Sequence, residues 1–270
     1  MKIVFENARK CQQFATVFAN LKNFSMNVCI YFKPTGIYIQ SMDESHCCLF
    51  ECNLDSSWFK TYTFDEEKDQ ACVGMNVNML NKVLNTWNDT QTLTIDLEPA
   101  SDKISLSFEK IEDKSGHFDK FFELPLMTIE NDLIDVKIFD TLVDLTVESK
   151  VFCALISQLM IFNDNLTLTF NEENIECTSS GTEGSMKALI NIDDVKEYVI
   201  TENMTLVQSY SLRYVQLMCQ FNKLSTEMQM GFNTDMPMLM KYKLSDNDTN
   251  EANESFVRIH LAPKIIDEAE

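Results

Sequence analysis

The sequence predicts an α+β protein made of two similar domains. Three observations carry this: four helix-like stretches, period-two strand patterns grouped between them, and an internal repeat. The segment Asn27–Ser41 (NVCIYFKPTGIYIQS) matches Asn165–Ser179 (NLTLTFNEENIECTS) at Val28/Leu166, Ile30/Leu168, Phe32/Phe170 and Ile37/Ile175. Both read as alternating strands around a turn, Pro34-Thr35-Gly36 in one copy and Glu172-Glu173-Asn174 in the other. A later pair recurs as well, because Thr92–Leu97 and Lys103–Phe108 resemble Thr226–Phe232 and Pro237–Tyr242. A duplicated domain of roughly 130 residues is the economical reading. The expected division is 1–119, a connection over 120–136 and a second domain over 137–270.

Within each copy the order is helix, several strands, helix, several strands. The first helix carries Cys11, Phe14, Ala15, Phe18 and Leu21 at i, i+3, i+4 spacing, and the second carries Val77, Leu80, Leu84 and Trp87. The third repeats the pattern with Phe152, Leu155, Ile156 and Leu159, the fourth with Leu212, Val215 and Met218. Runs such as Asn27–Phe32 and Leu166–Phe170 alternate as antiparallel strands covered on one face do. Lys120–Val136 (KFFELPLMTIENDLIDV) has a proline and no clean period, so it is expected to connect the domains. The acidic stretches 65–69 and 246–254 read as solvated turns.

Charge is distributed unevenly over this plan. Asp and Glu number 42 against 22 Lys and Arg, a formal charge of −20. Yet Asn7–Phe24, Gly74–Trp87, Ser149–Ile161 and Val207–Thr226 contain no acid, and each retains Lys or Arg. Even spreading would put about ten acids there. The four stretches are the four helices, so one kind of surface is kept free of negative charge while the rest is heavily negative. A helix packed on both sides would also exclude charge, but Lys10, Gln13, Lys22, Lys82, Asn85, Lys150, Ser157, Arg213, Gln216, Gln220 and Lys223 make these faces wet. That is the footprint of a polyanion partner. The overall charge excludes a generic nucleic-acid coat or a binder of anionic membranes.

No apolar run approaches the ~18 residues of a membrane span, and the opening Met-Lys-Ile-Val-Phe-Glu enters a strand pattern with no signal-peptide site, so a soluble intracellular protein is expected. Nine scattered Cys suit reduced core thiols better than a disulfide framework. Enzyme chemistry finds little support. The six Gly form neither a P-loop nor a dinucleotide fingerprint, and no Gly-x-Ser-x-Gly elbow or His-Glu-x-x-His pair occurs. Abundant carboxylates could suggest a metal-dependent nuclease, but abundance without a signature is an acidic surface. His46-Cys47-Cys48 with Cys52 lacks CxxC spacing, so neutral side chains in or beside the sheet are expected rather than zinc ligands. His117 and His260 stand alone. No metal and no cofactor are expected.

Gln40–His46 (QSMDESH) after Gly36–Ile39, and Leu261–Ile265 (LAPKI), resemble the sliding-clamp family of proliferating cell nuclear antigen. The likeness runs through Val73–Asn76 (VGMN), Ser211–Tyr214 (SLRY), Asp235–Met238 (DMPM) and Lys241-Tyr242, and it covers the whole chain. It implies a head-to-tail homotrimeric ring, helices lining a hole around duplex DNA and antiparallel sheets outside. Such a processivity factor has no chemistry of its own, is opened by an ATP-driven clamp loader, and binds DNA without sequence preference. Matching family positions, Lys22, Lys82 and Arg213 would face the DNA backbone, while Lys10, Lys150 and Lys223 are candidates from helix placement alone.

The resemblance also implies docking of short peptides from a polymerase, ligase or nuclease under the connector. Met42, His46, Cys47 and Leu49 match one wall of that pocket and Pro237 another. Ala262, Pro263 and Ile265 match its C-terminal part, with Leu133 or Ile134 from the connector. The resemblance implies that subunits join by pairing a strand of the first domain, near Gly116–Glu123, with one of the second, near Glu183–Asn191, with Phe118, Phe121, Phe122 and Met186 in the contact. The sequence departs from the family where Ser157 and Gln220 replace basic residues and His260 replaces a Tyr. Alternatives are a subunit of a heterotrimeric or checkpoint-type clamp and a monomeric processivity factor. The implied location is the nucleus, or a viral replication compartment for a virus-encoded chain.

Overall fold

The computed structural model describes the whole chain except residues 6, 65–70, 112–117, 130–132, 137–139, 235, 245–253 and 265–270. Two compact units result. The first comprises Met1–Glu44, Phe50–Ile134 and Leu244–Val257; the second comprises Ser45–Leu49, Asp135–Lys243 and Arg258–Glu270.

The first unit runs β1 (Lys2–Val4), α1 (Ala8–Leu21), β2 (Asn27–Lys33), β3 (Gly36–Met42), β4 (Cys48–Asp55), β5 (Thr61–Thr63), β6 (Ala71–Asn76), α2 (Val77–Leu84), β7 (Gln91–Asp96), β8 (Lys103–Lys110) and β9 (Lys120–Pro125). The second runs β10 (Val143–Glu148), α3 (Ser149–Leu159), β11 (Asn165–Phe170), β12 (Asn174–Gly181), β13 (Gly184–Asn191), β14 (Glu197–Ile200), β15 (Leu206–Ser211), α4 (Leu212–Cys219), β16 (Glu227–Phe232) and β17 (Met238–Lys243). The last strand, β18 (Phe256–Leu261), divides between the units, as does β4.

Pairing repeats strand for strand. β1 lies antiparallel between β5 and β7, and β10 lies antiparallel between β14 and β16. Likewise β2 joins β3 to β6, and β11 joins β12 to β15. The order β5-β1-β7-β8-β9 faces the succession β4-β3-β2-β6 in the first unit; β14-β10-β16-β17 and β13-β12-β11-β15 are their counterparts in the second. The expected duplication of an α+β design is therefore realised as topology.

Period-two patterning decides which faces are buried. Leu93 and Ile95 of β7, and Ile104, Leu106 and Phe108 of β8, point inward between exposed or half-exposed polar neighbours. In the first unit Phe14 of α1 and Leu80 of α2 meet Ile30, Phe32 and Ile37 of one sheet and Ile95 and Ile104 of the other around a shared apolar cavity. In the second unit Phe170 of β11 packs against Phe232 of β16 with ring centroids 4.5 Å apart and the rings tilted by 45°, joining the two sheets. Each buried side chain of this size contributes about 1.5–3 kcal/mol of transfer free energy.

Three features differ from the sequence reading. Helix two ends at Leu84 with Asn85 as its cap, so Trp87 lies beyond it, its indole N–H donating to the Gln91 carbonyl at 2.8 Å. Lys120–Pro125, within the segment whose pattern reads as connection, is β9, overlapping the strand that the resemblance implies near Gly116–Glu123, with Phe122 and Leu124 turned inward and Phe121 and Glu123 outward. Glu254, expected in a solvated turn, is buried, and its carbonyl accepts from the Asn53 amide at 2.8 Å. The remainder of both acidic stretches, and His117, lie outside the described residues.

Candidate nucleic-acid interface

Each unit packs its two helices against one another, α1 on α2 and α3 on α4. α1 starts on Asn7, whose Oδ1 accepts the Lys10 N–H at 3.0 Å, and α2 starts on Asn76, whose Oδ1 accepts the Met79 N–H at 2.9 Å. Cys11, Phe14, Val17, Phe18 and Leu21 of α1 are buried, as are Val77, Leu80, Val83 and Leu84 of α2. Fixing one stripe inward leaves the opposite stripe outward. On α1 that stripe is Arg9 and Gln12 with half-buried Thr16 and Asn20, followed by Asn23 just beyond the helix, while Gln13, expected on the wet face, is buried; on α2 it is Asn78 and Lys82, with the cap Asn85.

The second unit repeats the arrangement. Phe152, Ile156 and Leu159 anchor α3 while Lys150, Val151, Ala154, Ser157 and Gln158 are exposed. Leu212, Val215 and Met218 anchor α4, with Arg213 exposed and Gln220 and Lys223 exposed in the short 3-10 turn that follows. Asp164, in the loop before β11, caps α4 from outside it. Its Oδ1 accepts the Arg213 N–H at 2.7 Å, its Oδ2 accepts the Ser211 hydroxyl at 2.9 Å and its carbonyl accepts the Leu212 N–H.

None of α1 to α4 has Asp or Glu in its first turn. Helix electrostatics favours the opposite, since an acid there stabilises by about 0.3–1 kcal/mol. Acids do stand just outside that turn in the second unit, Glu148 before α3 and Asp164 beside α4, so what the chain avoids is acid on the exposed stripes.

The six basic candidates are not equivalent. Lys22, Lys82, Lys150, Arg213 and Lys223 are exposed on or at the ends of the helices. Lys10 turns toward the flank instead, its Nζ 5.5 Å from the centre of the Trp58 ring. Arg9, absent from the sequence candidates, sits on the exposed stripe of α1. Its i, i+3, i+7 relation to Gln12 and Thr16 was the available signal.

The peptide-site candidates separate between units. In the first, Met42 is half-buried at the end of β3, and Gln40, two residues earlier on the same strand face, clasps the connector. Gln40 Nε2 donates to the Ile134 carbonyl at 3.0 Å, and the Ile134 N–H donates to Gln40 Oε1 at 2.8 Å. Gln40 also donates to the Tyr38 hydroxyl, which donates to Glu51 Oε1 at 2.7 Å. Leu133 and Ile134 are exposed. Further up the connector, a Cβ on Gly74 of β6 would stand 2.3 Å from the Met127 carbonyl oxygen, so only glycine permits this crossing.

In the second unit, the Ala262 N–H donates to the Cys47 carbonyl at 2.9 Å. His46 and Cys47 are exposed, Cys47 lies outside β4, and His46 has φ of 55°. Leu49 is buried, Pro237 and Pro263 are half-buried, and Ala262 is exposed. Ile265 falls outside the described residues. His260 is buried on β18.

Of the subunit-contact candidates, Phe118 and Phe121 are 67% and 72% exposed. Phe121 stands on β9, at the end of its sheet, where Pro125 lacks an N–H in any case. Phe122 turns inward against Phe108 at 5.3 Å, and Met186 is half-buried on β13, also at the end of its sheet. Gly116 lies outside the described residues.

Comparison with known proteins agrees with this duplication. The N-terminal domain of proliferating cell nuclear antigen matches residues 5–134 and its C-terminal domain matches residues 134–255. The proliferating cell nuclear antigen of Chaetomium thermophilum is 26% identical over 242 residues, 87% of each chain. Proliferating cell nuclear antigen 2 of Drosophila melanogaster is 25% identical over 232 residues, 86% of each. With both domains matched in order along the same chain, the protein belongs, as a divergent member, to the proliferating cell nuclear antigen family of DNA sliding clamps, non-enzymatic processivity factors of replication.

Proposed function

We propose that three copies of this chain close head to tail into a ring around duplex DNA, with α1 to α4 of each copy turned toward the duplex. The observation that carries this is the acid-free exposed stripe on all four helices of an otherwise acidic protein. Lys22, Lys82, Lys150, Arg213 and Lys223, with Arg9, contact phosphates without reading bases, and Lys10 stands at the edge of that surface. With so few cations the contact is weak and persistence on DNA comes from closure of the ring. Phe118 and Phe121 near β9 meet the strand carrying Met186 in the next subunit, with Phe122 supporting them from inside its own sheet.

The chain is read as clamp domains 1–119 and 137–270 joined by 120–136. Its second activity is recruitment of polymerase, clamp loader, ligase or nuclease through peptides that dock on Met42, His46, Cys47, Leu49, Leu133, Ile134, Pro237, Ala262, Pro263 and Ile265. An apolar plug buried there supplies most of the affinity. The site of action is the nucleus, or the viral replication compartment for a virus-encoded chain.

Light scattering tests the assembly: the expected mass is that of three 31.2 kDa chains. A monomer at working concentration, with no trimer caught by crosslinking on DNA, contradicts the homotrimer. Paired substitutions test the two activities. Lys22→Ala with Lys82→Ala should weaken DNA contact and spare peptide binding, and Pro263→Ala should do the reverse. Equal effects on both would rule out separate surfaces.

A further inference from the structure

Two thiols meet between α3 and α4. Cys153, on α3 and half-buried, donates its thiol to the backbone carbonyl oxygen of Cys219, the last residue of α4, at 3.3 Å. The two thiols also act on each other electrostatically. Asn222, in the turn after α4, donates its amide to the same Cys219 carbonyl at 2.8 Å. The pair is thus held in contact by an independent polar anchor, on two helices that the rest of the unit fixes in place through Phe152, Ile156, Val215 and Met218.

The two sulfurs are unequal. The neighbouring Cys219 thiol, and then the Asn222 amide, hold Cys153 below the ordinary thiol range despite its partial burial. Cys219 is pushed well above that range by the same contact and by burial. Cys153 is half-buried and Cys219 is buried, so an oxidant from solvent meets Cys153 first and Cys219 stands beside it to resolve the product. Buried thiols elsewhere are pushed the other way. Cys11 is buried and pushed up to about 11, and Cys177 to about 12. In the other contacting pair, Cys29 with exposed Cys72, burial pushes Cys29 up to about 11.

We propose that Cys153 and Cys219 form a peroxide-sensitive modification site that closes to a disulfide and clasps α3 to the end of α4. The Cys153 thiolate attacks one oxygen of hydrogen peroxide or an organic hydroperoxide; the S–O bond forms, the O–O bond breaks, and the leaving hydroxide or alkoxide takes up a proton. Cys219 then gives up its proton and attacks the Cys153 sulfenic sulfur, forming the S–S bond and expelling hydroxide, which leaves as water with that proton. Two thiols are oxidised by two electrons in total and one peroxide is reduced. Closure fixes the spacing of the helices that carry Lys150, Arg213 and Lys223. Its formation is independent of the DNA-binding reading, so failure of one leaves the other standing.

The test uses the full chain under native conditions. After brief treatment with hydrogen peroxide, free thiols are alkylated and the digest is analysed by mass spectrometry. The expected result is a linked Cys153–Cys219 peptide lighter by two hydrogens, reversed by dithiothreitol. In Cys219→Ala, dimedone should trap a sulfenic acid at Cys153, while Cys153→Ala should give no link at all. Without oxidant, Cys153 should react with iodoacetamide on the order of tenfold faster than Cys11. A chain that keeps both thiols free, links Cys29 to Cys72 first, or carries Cys153 to sulfinic acid with Cys219 untouched would overturn the proposal.

Discussion

The helix pairs of the two units share a topology and differ in how they are terminated. α1 and α2 begin on neutral Asn7 and Asn76, each capping its own helix. α3 begins at Glu148, which makes no side-chain cap bond, and α4 takes its cap from the Asp164 carboxylate in a separate loop. The second unit therefore uses acids at helix ends, where the dipole rewards them, yet keeps them off the exposed stripes as strictly as the first unit does. Acid exclusion is a property of the face and not of helix sequence in general. What the duplication preserved was a surface, while the local chemistry that builds each helix was free to diverge.

Removing the core contact beneath one pair should show the largest effect. Phe18 is fully buried with its ring 4.9 Å from that of Phe14, so Phe18→Ala should cost about 3–5 kcal/mol in urea unfolding. The difference in capping predicts a smaller asymmetry. Asp164→Ala removes acceptors for both the Arg213 N–H and the Ser211 hydroxyl and should cost about 1–2 kcal/mol, whereas Asn76→Ala should cost about 1 kcal/mol. Equal losses in thermal melts would erase that contrast between the units. Placing acids on the shared stripe, as Asn78→Glu with Ala154→Glu, should weaken DNA contact by about 1 kcal/mol per charge at low salt. Lys82→Ala alone should have the smallest effect, a shallower salt dependence of DNA contact with stability unchanged.

Much of this was legible in the sequence. The repeat, the strand alternation and the four helices follow from apolar spacing, and the acid-free stretches follow from composition. β9 is marked by the family resemblance but hidden from periodicity, because consecutive Phe121 and Phe122 mask the alternation, one facing out and the other packing on Phe108. Trp87 extended the apparent helical period beyond Leu84, although its indole serves the turn leading to Gln91. Arg9 was passed over in favour of Lys10, whose closeness to Trp58 depends on a tertiary contact. Likewise, neither the Gln40 clasp on Ile134, 94 positions apart, nor the Cys153–Cys219 contact, 66 apart, has a local signal. Side chains that act across such separations are set by packing, which a single sequence does not display.

The central claim is that an acid-free but sparsely basic lining gives weak contact, so that topology and not affinity keeps the clamp on DNA. The direct measurement loads the protein on nicked circular DNA, raises the salt, and follows the bound fraction before and after the circle is cut. The account predicts retention on the circle and loss within the sliding time once ends are available. Persistence on the linear product, or salt-driven loss from the intact circle, would contradict it.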